Sequence, residues 1–356
     1  MRLALRLARK GLGKTSPNPM VGAVIVKDGR IIVQGYHHAF GRDHAEVDAL
    51  KHAQEDVAGA TLYVTLEPCR HYGKTPPCTD AIIQSKLGRL VIGMLDPDPR
   101  MKGESVKLLE KSGIHINVGV LEADCQALNE KYIKHRSTGM LYVTLKWAQT
   151  LDGRIATAQG SSRWISSPES QKLAHKLRAT HDAILVGIST VIKDNPELTT
   201  RLVKGRNPLR VILDSALGIP LDAKVLTNQK AAKTIVASTP KADTAKFAAL
   251  QKMGIEVLIT LPDKQGRVDI EKLVKILGER GVTSLLVEGG GEVITGFLRL
   301  GLGDKVVAII APKILGKGTD AVGEHNITDL AKAYMLTFEK VYRSGVDMVV
   351  EGRRRK

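Results

Sequence analysis

His44-Ala45-Glu46, followed by Pro68-Cys69 and then Cys78, is the stretch from which the rest of the chain is read. One imidazole and two thiols are three donors suited to zinc, and three protein ligands leave a catalytic zinc its fourth position for water. Glu46 lies two residues past the histidine and is better used for proton transfer than as a ligand. The alternative for Cys69 and Cys78 is a disulfide or two buried thiols. Only three cysteines occur in 356 residues, and no secretory signal precedes them, which favours a reducing compartment and metal ligation. The third, Cys125, falls in a polar helical stretch without an evident partner.

The flanks supply a frame. Residues 21–26 read as a strand, Asp28-Gly29 is a two-residue hairpin signal, and Arg30 to Tyr36 returns as the partner strand. A helix is expected over 44–54, with Val47 and Leu50 inward and His44 and Glu46 in its first turn. Strands at 60–66, 89–95 and 114–120 alternate with helices at 79–87 and 104–112, which predicts a layered α/β domain with a largely parallel portion. Both cysteines fall where a strand ends or a helix begins, and helix N-termini favour thiolate over thiol. Zinc nucleobase deaminases share His-x-Glu and a Pro-Cys-x-x-Cys, with the glutamate as acid and base rather than ligand. Here eight residues, not two, separate the cysteines.

That departure is itself informative. Ser16-Pro17-Asn18-Pro19-Met20-Val21-Gly22-Ala23, His44-Ala45-Glu46 and Glu67-Pro68-Cys69-Arg70-His71-Tyr72-Gly73-Lys74-Thr75-Pro76-Pro77-Cys78-Thr79-Asp80 together resemble the bifunctional deaminase/reductase family of riboflavin biosynthesis. The longer spacing, filled with Gly-Lys-Thr-Pro-Pro, is typical of that family within the cytidine-deaminase-like fold. The resemblance implies His44, Cys69 and Cys78 as zinc ligands and Glu46 as the proton carrier. It implies deamination of a diaminopyrimidinone bearing a ribosyl phosphate. Asn18 is then either a base-reading residue, since an amide both donates and accepts, or a turn residue between two prolines. Arg70, His71 and Lys74 either hold the phosphate or form a solvated loop.

A helix is expected over 121–136, broken by Ser137-Thr138-Gly139, and a strand of different character begins at Tyr142. The domain boundary is therefore placed at 140, with no long Pro/Gly/Ser linker. Strands are expected at 142–148, 183–186, 209–213, 234–237, 257–260 and 284–287, with helices over 244–253, 270–280 and 292–300. Another helix starts at Ser166-Ser167-Pro168-Glu169, where Ser167 can cap and Pro168 suits the first helical position. Glu288-Gly289-Gly290-Gly291-Glu292 is either an anion-binding turn or a plain tight turn. It is not the dinucleotide fingerprint, because Ile294 stands where a third glycine would be required.

The resemblance extends over this half. It rests on Lys146-Trp147-Ala148, Leu151-Asp152-Gly153-Arg154, Ser162-Arg163-Trp164-Ile165, Gly187-Ile188-Ser189-Thr190-Val191, Asp194-Asn195-Pro196 with Leu198-Thr199, and Val287-Glu288-Gly289-Gly290. It implies a C-terminal dihydrofolate-reductase-like domain that uses NADPH. By position, Ala148, Trp164, Thr190, Asp194 and the turn Gly290, Gly291, Glu292, Val293, Ile294, Thr295 and Gly296 would contact the cofactor. Ser162, Arg178, Leu198, Arg201 and Glu288 would contact substrate. Arg178 and Arg201 have a physical case of their own, because guanidinium pairs bidentately with phosphate. The expected organisation is a zinc-dependent pyrimidine deaminase domain over 1–140 and an NADPH-dependent reductase domain over 141–356. Nothing between 225 and 280 adds a motif.

The net charge of +16 permits nucleic acid, membrane surfaces or phosphorylated small molecules as partners. The charge is spread along the chain; Arg353-Arg354-Arg355-Lys356 is the one block and reads as a solvated tail. An RNA-editing deaminase with an appended binding domain is the rival. Four Phe and two Trp provide no evident platform for stacking single strands, so no nucleic acid is expected. The Arg-rich start could be a transit peptide, but Leu3, Ala4, Leu7 and Ala8 share one helical face, so a core helix and a cytoplasmic enzyme are expected. No apolar run reaches the roughly 20 residues that span a bilayer. Homo-oligomerisation is left open.

Overall fold

The computed structural model describes residues 1–99, 101–325 and 327–355. The chain divides into two compact units, Met1–Met140 and Leu141–Lys356.

In the first unit, α1 (Arg2–Ala8) buries Ala4, Leu5, Leu7 and Ala8, so the Arg-rich start is a core helix. β1 (Gly22–Lys27) and β2 (Arg30–Tyr36) form an antiparallel hairpin. Its turn residues Asp28 and Gly29 both have positive φ, 51° and 74°, the geometry that matches the twist of the flanking strands. Then follow α2 (Ala45–Lys51), β3 (Thr61–Val64), α3 (Cys78–Gln84), β4 (Arg89–Ile92), α4 (Glu104–Lys111), β5 (His115–Val118), α5 (Glu122–Leu128) and α6 (Glu130–Thr138). The sheet order is β2-β1-β3-β4-β5, with β3, β4 and β5 parallel. Its core gathers Ile25, Leu62, Ile82, Leu90, Ile92 and Leu109.

Two expectations are corrected here. The fully buried residues of α2 are Ala45, Glu46, Asp48 and Ala49; Leu50 is half-buried yet packs against the core as expected, whereas Val47 is half-buried. The reason is a close approach: a Cβ on Gly35 of β2 would lie 2.4 Å from the Ala49 nitrogen, so only small or specifically bonded residues fit between helix and strand. Asp48 fits because its Oδ2 accepts from the Tyr36 N–H at 3.0 Å. The helix expected over 121–136 is two helices. Asn129 lies between them, buried, and its amide bonds both the N–H and the carbonyl of Met20, at 2.8 and 2.9 Å.

The second unit contains β6 (Tyr142–Thr150), β7 (Arg154–Thr157), α7 (Pro168–Ala179), β8 (Ala183–Gly187), α8 (Ile188–Asp194), β9 (Leu209–Leu213), α9 (Lys224–Thr227), β10 (Thr234–Ser238), α10 (Thr244–Lys252), β11 (Glu256–Ile259), α11 (Ile270–Glu279), β12 (Ser284–Val287), α12 (Gly291–Arg299), β13 (Lys305–Ala311), β14 (Gly318–Asp320), β15 (Leu336–Ser344) and β16 (Asp347–Arg354). Nine strands form one sheet in the order β11-β10-β9-β8-β12-β6-β13-β16-β15, and β7 pairs with β14 apart from it. The large sheet is parallel from β11 to β13; β16 and β15 are antiparallel additions. Ser167 caps α7 through the Ser170 N–H, with Pro168 at its first position. The basic block at the C-terminus is corrected: Arg353 and Arg354 belong to β16, Arg353 pairs with Glu339, and Lys356 lies outside the described residues. Among the described residues, no helix is long and apolar enough to cross a membrane.

Candidate active sites

In the first unit, the hairpin, the helix starts and the loop after β3 converge. His44 is the residue before α2, Cys78 is the first residue of α3, and Cys69 sits in the loop between β3 and α3. His44 Nδ1 lies 3.3 Å from Cys78 Sγ and 3.4 Å from Cys69 Sγ, and the two sulfurs are 3.5 Å apart. Four-coordinate zinc with bonds of about 2.0–2.3 Å sets its ligand atoms roughly 3.4–3.8 Å apart, so this triangle fits the ion. The donor chemistry fits as well. A hydrogen bond from the Cys78 thiol is the main cause that brings Cys69 down to about 4, with His44 assisting and burial opposing. Cys78, as the donor and fully buried, is pushed well up. The pair thus favours thiolate at Cys69 over Cys78, and loading a metal would displace the thiol proton from the site.

Glu46 is 3% exposed on the inward face of α2. Burial raises its carboxyl to about 7, with the His44 charge opposing. A carboxyl poised near neutrality is suited to take and return a proton. Around these groups is an open cavity of ≈ 620 Å³, partly continuous with solvent, bordered also by Asn18, His37, His71, Asp96, Tyr132 and Arg136. His37 fixes the sense of Asn18. Its Nδ1 lies 2.8 Å from the Asp43 carbonyl and must donate, so Nε2 accepts from Asn18 Nδ2 at 3.2 Å. That leaves the Asn18 oxygen as the acceptor available to a ligand. Of the three residues considered for phosphate, only His71 borders the cavity. Arg70 faces Glu104 at 3.6 Å, and the Lys74 amine sits 4.1 Å over the Phe40 ring.

In the second unit the site follows from strand order. β8, β12 and β6 are adjacent and parallel, and ligands bind α/β sheets at the carboxyl ends of such strands. Beyond β8 lies Thr190 of α8; beyond β12 lies Glu288 with the glycine turn; within β6 lie Lys146 and Ala148. Arg178 from α7 forms a fork with Glu288, 2.9 Å on each arm, and also donates to the Thr199 carbonyl at 3.2 Å. Lys146 Nζ lies 3.6 Å from the same carboxylate. Burial would raise the Glu288 carboxyl, but Arg178 and Lys146 outweigh it and hold the group at about 2. Burial, then the charges of Arg178 and Arg201, bring His175 down to about 4; its Nδ1 therefore stays neutral and accepts from the Leu202 N–H.

The glycine turn is a tight one. A Cβ on Gly289 would meet Val293 at 2.6 Å and one on Gly291 would meet the Asp320 carbonyl at 2.5 Å, whereas one on Gly290 would lie 3.9 Å from Thr190 Oγ1. The turn thus brings Thr190 beside bare backbone at the start of α12, which fits a cofactor phosphate. Within it Gly290 and Val293 are half-buried, Gly296 packs at Ile270, and Glu292 is exposed. The side chains of Ile294 and Thr295 point into the core. Ser162 donates to Asp194 at 3.3 Å, Arg163 binds the Asp194 carbonyl, and Trp164 is 64% exposed beside them. Ala148 pairs with Ile309 in the sheet. Leu198 is buried in the core with positive φ, 54°, and Arg201 is exposed.

Sequence reasoning passed over His37, Asp96, Tyr132 and Arg136 in the first cavity and Lys146 in the second. A lysine inside an otherwise apolar strand was a usable signal for Lys146. Tyr132 and Arg136 sit one turn apart on α6, but that helix, His37 and Asp96 come from elements far apart in sequence, so no single motif joins them.

Residues 141–350 match the family model of the RibD C-terminal domain, and residues 1–94 match the cytidine and deoxycytidylate deaminase zinc-binding region. The chain is 48% identical over 351 residues to the riboflavin biosynthesis protein RibD of Aquifex aeolicus, covering 98% of this chain and 96% of that one. It is 36% identical to the Escherichia coli protein of the same name, at 98% and 96% coverage. Among solved structures, it is 41% identical to a Thermotoga maritima diaminohydroxyphosphoribosylaminopyrimidine deaminase/5-amino-6-(5-phosphoribosylamino)uracil reductase, with TM-score 0.88 over 100% of this chain and 97% of that one. RibD of Acinetobacter baumannii gives 34% identity, TM-score 0.89 and coverage of 100% and 98%. The RNA-editing rival falls, because the second unit matches a reductase. A cytidine-deaminase-like zinc domain joined to a dihydrofolate-reductase-like, NADPH-using domain in one chain places this protein in the RibD family of bifunctional deaminase/reductases of riboflavin biosynthesis.

Proposed function

We propose that deamination takes place between the His44, Cys69 and Cys78 donors and Glu46, on 2,5-diamino-6-ribosylamino-pyrimidinone 5′-phosphate, and that reduction of its ribosyl group to ribityl takes place at the Glu288 crevice. The observation that carries the first assignment is the donor triangle of 3.3–3.5 Å with a buried carboxyl beside it. When bound there, zinc supplies Lewis acidity, which makes water nucleophilic near neutral pH. Glu46 would take one proton from the attacking water and give it to the ring nitrogen, then take the second from the hydroxyl now on carbon and give it to the departing amine, which leaves as ammonia. Asn18, held by His37, offers its oxygen to the N–H groups of the pyrimidine. At the second site NADPH supplies the hydride when bound. Glu288, held rigid by Arg178 and Lys146, accepts from ribose hydroxyls. With Arg178 committed to Glu288, the exposed Arg201 is the guanidinium left for the phosphate. We place the enzyme in the cytoplasm, where thiolates and reduced nicotinamide persist, acting on a small molecule and not on nucleic acid.

Incubating the zinc-loaded protein with that compound, with and without NADPH, tests both assignments when products are separated by mass. Ammonia and the deaminated compound should form without NADPH, and the ribityl product only with it. No ammonia release would overturn the first site; deamination without NADPH consumption would overturn the second.

A further inference from the structure

The wall of the first cavity opposite the metal donors is an irregular loop, and one carboxylate ties both of its ends. The loop leaves β4 and reaches α4 through Asp96-Pro97-Asp98-Pro99, so two of its positions have no N–H to give. It places Asp96, Asp98 and Met101 on the cavity. Glu67 Oε2 accepts from the Asp96 N–H at the loop's start and from the Gly103 N–H at its end, both at 3.0 Å. Oε1 accepts from the Ser105 N–H at 3.1 Å, within the first turn of α4. Glu67 is 3% exposed, and its own N–H donates to the Met94 carbonyl at 2.9 Å. Although Glu67 borders the cavity, both its oxygens are occupied by backbone. Within the loop the Met101 and Lys102 N–H groups donate to the Asp98 carbonyl at 2.9 and 3.1 Å, a local turn, whereas Glu67 cinches the loop's start to its end.

Beyond the cinch, Asp96 is aimed. Its two oxygens accept the Tyr132 hydroxyl at 3.1 and 3.0 Å, and Oδ1 also accepts the Asp98 N–H at 2.9 Å. A shift of the loop therefore moves every polar group on that wall relative to the donor triangle, and small misplacements of binding groups are costly. We propose that Glu67 is a positioning residue for the deaminase: it holds the wall that reads the substrate and so sets substrate affinity, while the bond-making groups stay where they are. This rests on deamination occurring in this cavity.

Glu67→Gln in the full-length, zinc-loaded protein is the test. Whichever way its amide turns, an NH2 faces a backbone N–H, so at least one of three bonds is lost and becomes repulsive. Deamination KM should rise about tenfold with kcat within about twofold, the pattern of lost uniform binding. Zinc content and NADPH-dependent reduction of the deaminated compound should be unchanged, and amide hydrogen exchange should quicken across 96–105. Glu67→Ala, which loses all three bonds, should raise KM further if it folds; if it does not, the Gln variant decides. Unchanged KM despite faster exchange would overturn the proposal, as would loss of zinc or a fall in kcat alone in the Gln variant. Failure of the wild type to deaminate would instead overturn the assignment of the cavity.

Discussion

In the proposed deamination, Glu46 is the side chain given the largest catalytic burden. It is buried, near-neutral and not among the three metal donors. Glu46→Gln should lower deamination by about 10²–10⁴-fold, the range expected for loss of a positioned acid–base group. Zinc measured by atomic absorption should stay at the wild-type level, and reduction should proceed at the wild-type rate. Glu288 governs the other site through charge. Its folded-state value, about 2, lies below the ordinary carboxylate value of 4.5. Its stabilisation is therefore fully present above about pH 4.5 and is lost as pH falls through about 2; the shift corresponds to about 3 kcal/mol. Melting curves between pH 5 and 2 should show that decline, and Glu288→Gln should flatten it. Arg178→Met leaves Glu288 with Lys146 alone, and breaking a buried pair costs about 3–5 kcal/mol. Urea titration should register most of that loss. The donor triad and Glu46 could be read in sequence because they lie on short, spaced motifs. Asp96, Tyr132 and His37 could not, because only folding brings the loop after β4, helix α6 and the end of the β1–β2 hairpin to one cavity.

At the scale of elements, the deaminase site depends on how closely α2 lies on β2. Gly35 makes that distance: a Cβ there would come within 2.4 Å of the Ala49 nitrogen and 2.6 Å of the Ala45 carbonyl. Gly35→Ala should push α2 outward, carrying His44 and Glu46 away from the Cys69 sulfur in the loop and the Cys78 sulfur at the start of α3. Zinc affinity, followed by competition with a chromophoric chelator, should fall at least about tenfold, since metal sites demand ligand distances within about 0.2 Å. Elements with a clear period or punctuation were legible: the Asp28-Gly29 hairpin, the Ser167-Pro168 helix start, and the apolar strands β8, β9, β10 and β12. β15 was not, because its sequence Leu336–Ser344 mixes charges with apolar residues, as edge strands do. The break at Asn129 was invisible because its cause, a bond to Met20, is 109 residues away.

At the scale of the molecule, metal and hydride chemistry sit in separate units, each with its own sheet. Chelation should therefore abolish deamination while leaving reduction of the deaminated compound intact, measured as NADPH oxidation. The layered α/β character of both units was readable from alternation, whereas the antiparallel strands that extend the second sheet were not. The strand order also bears on how the protein is made. β6 is the first strand of the second unit to emerge during synthesis, yet its sheet neighbours are β12 and β13, which begin at Ser284 and Lys305. The first unit's strands end at Val118, so it has its whole sheet available early. The second must keep an apolar strand unpartnered until most of the chain has left the ribosome, and that waiting strand is where chaperone protection matters most.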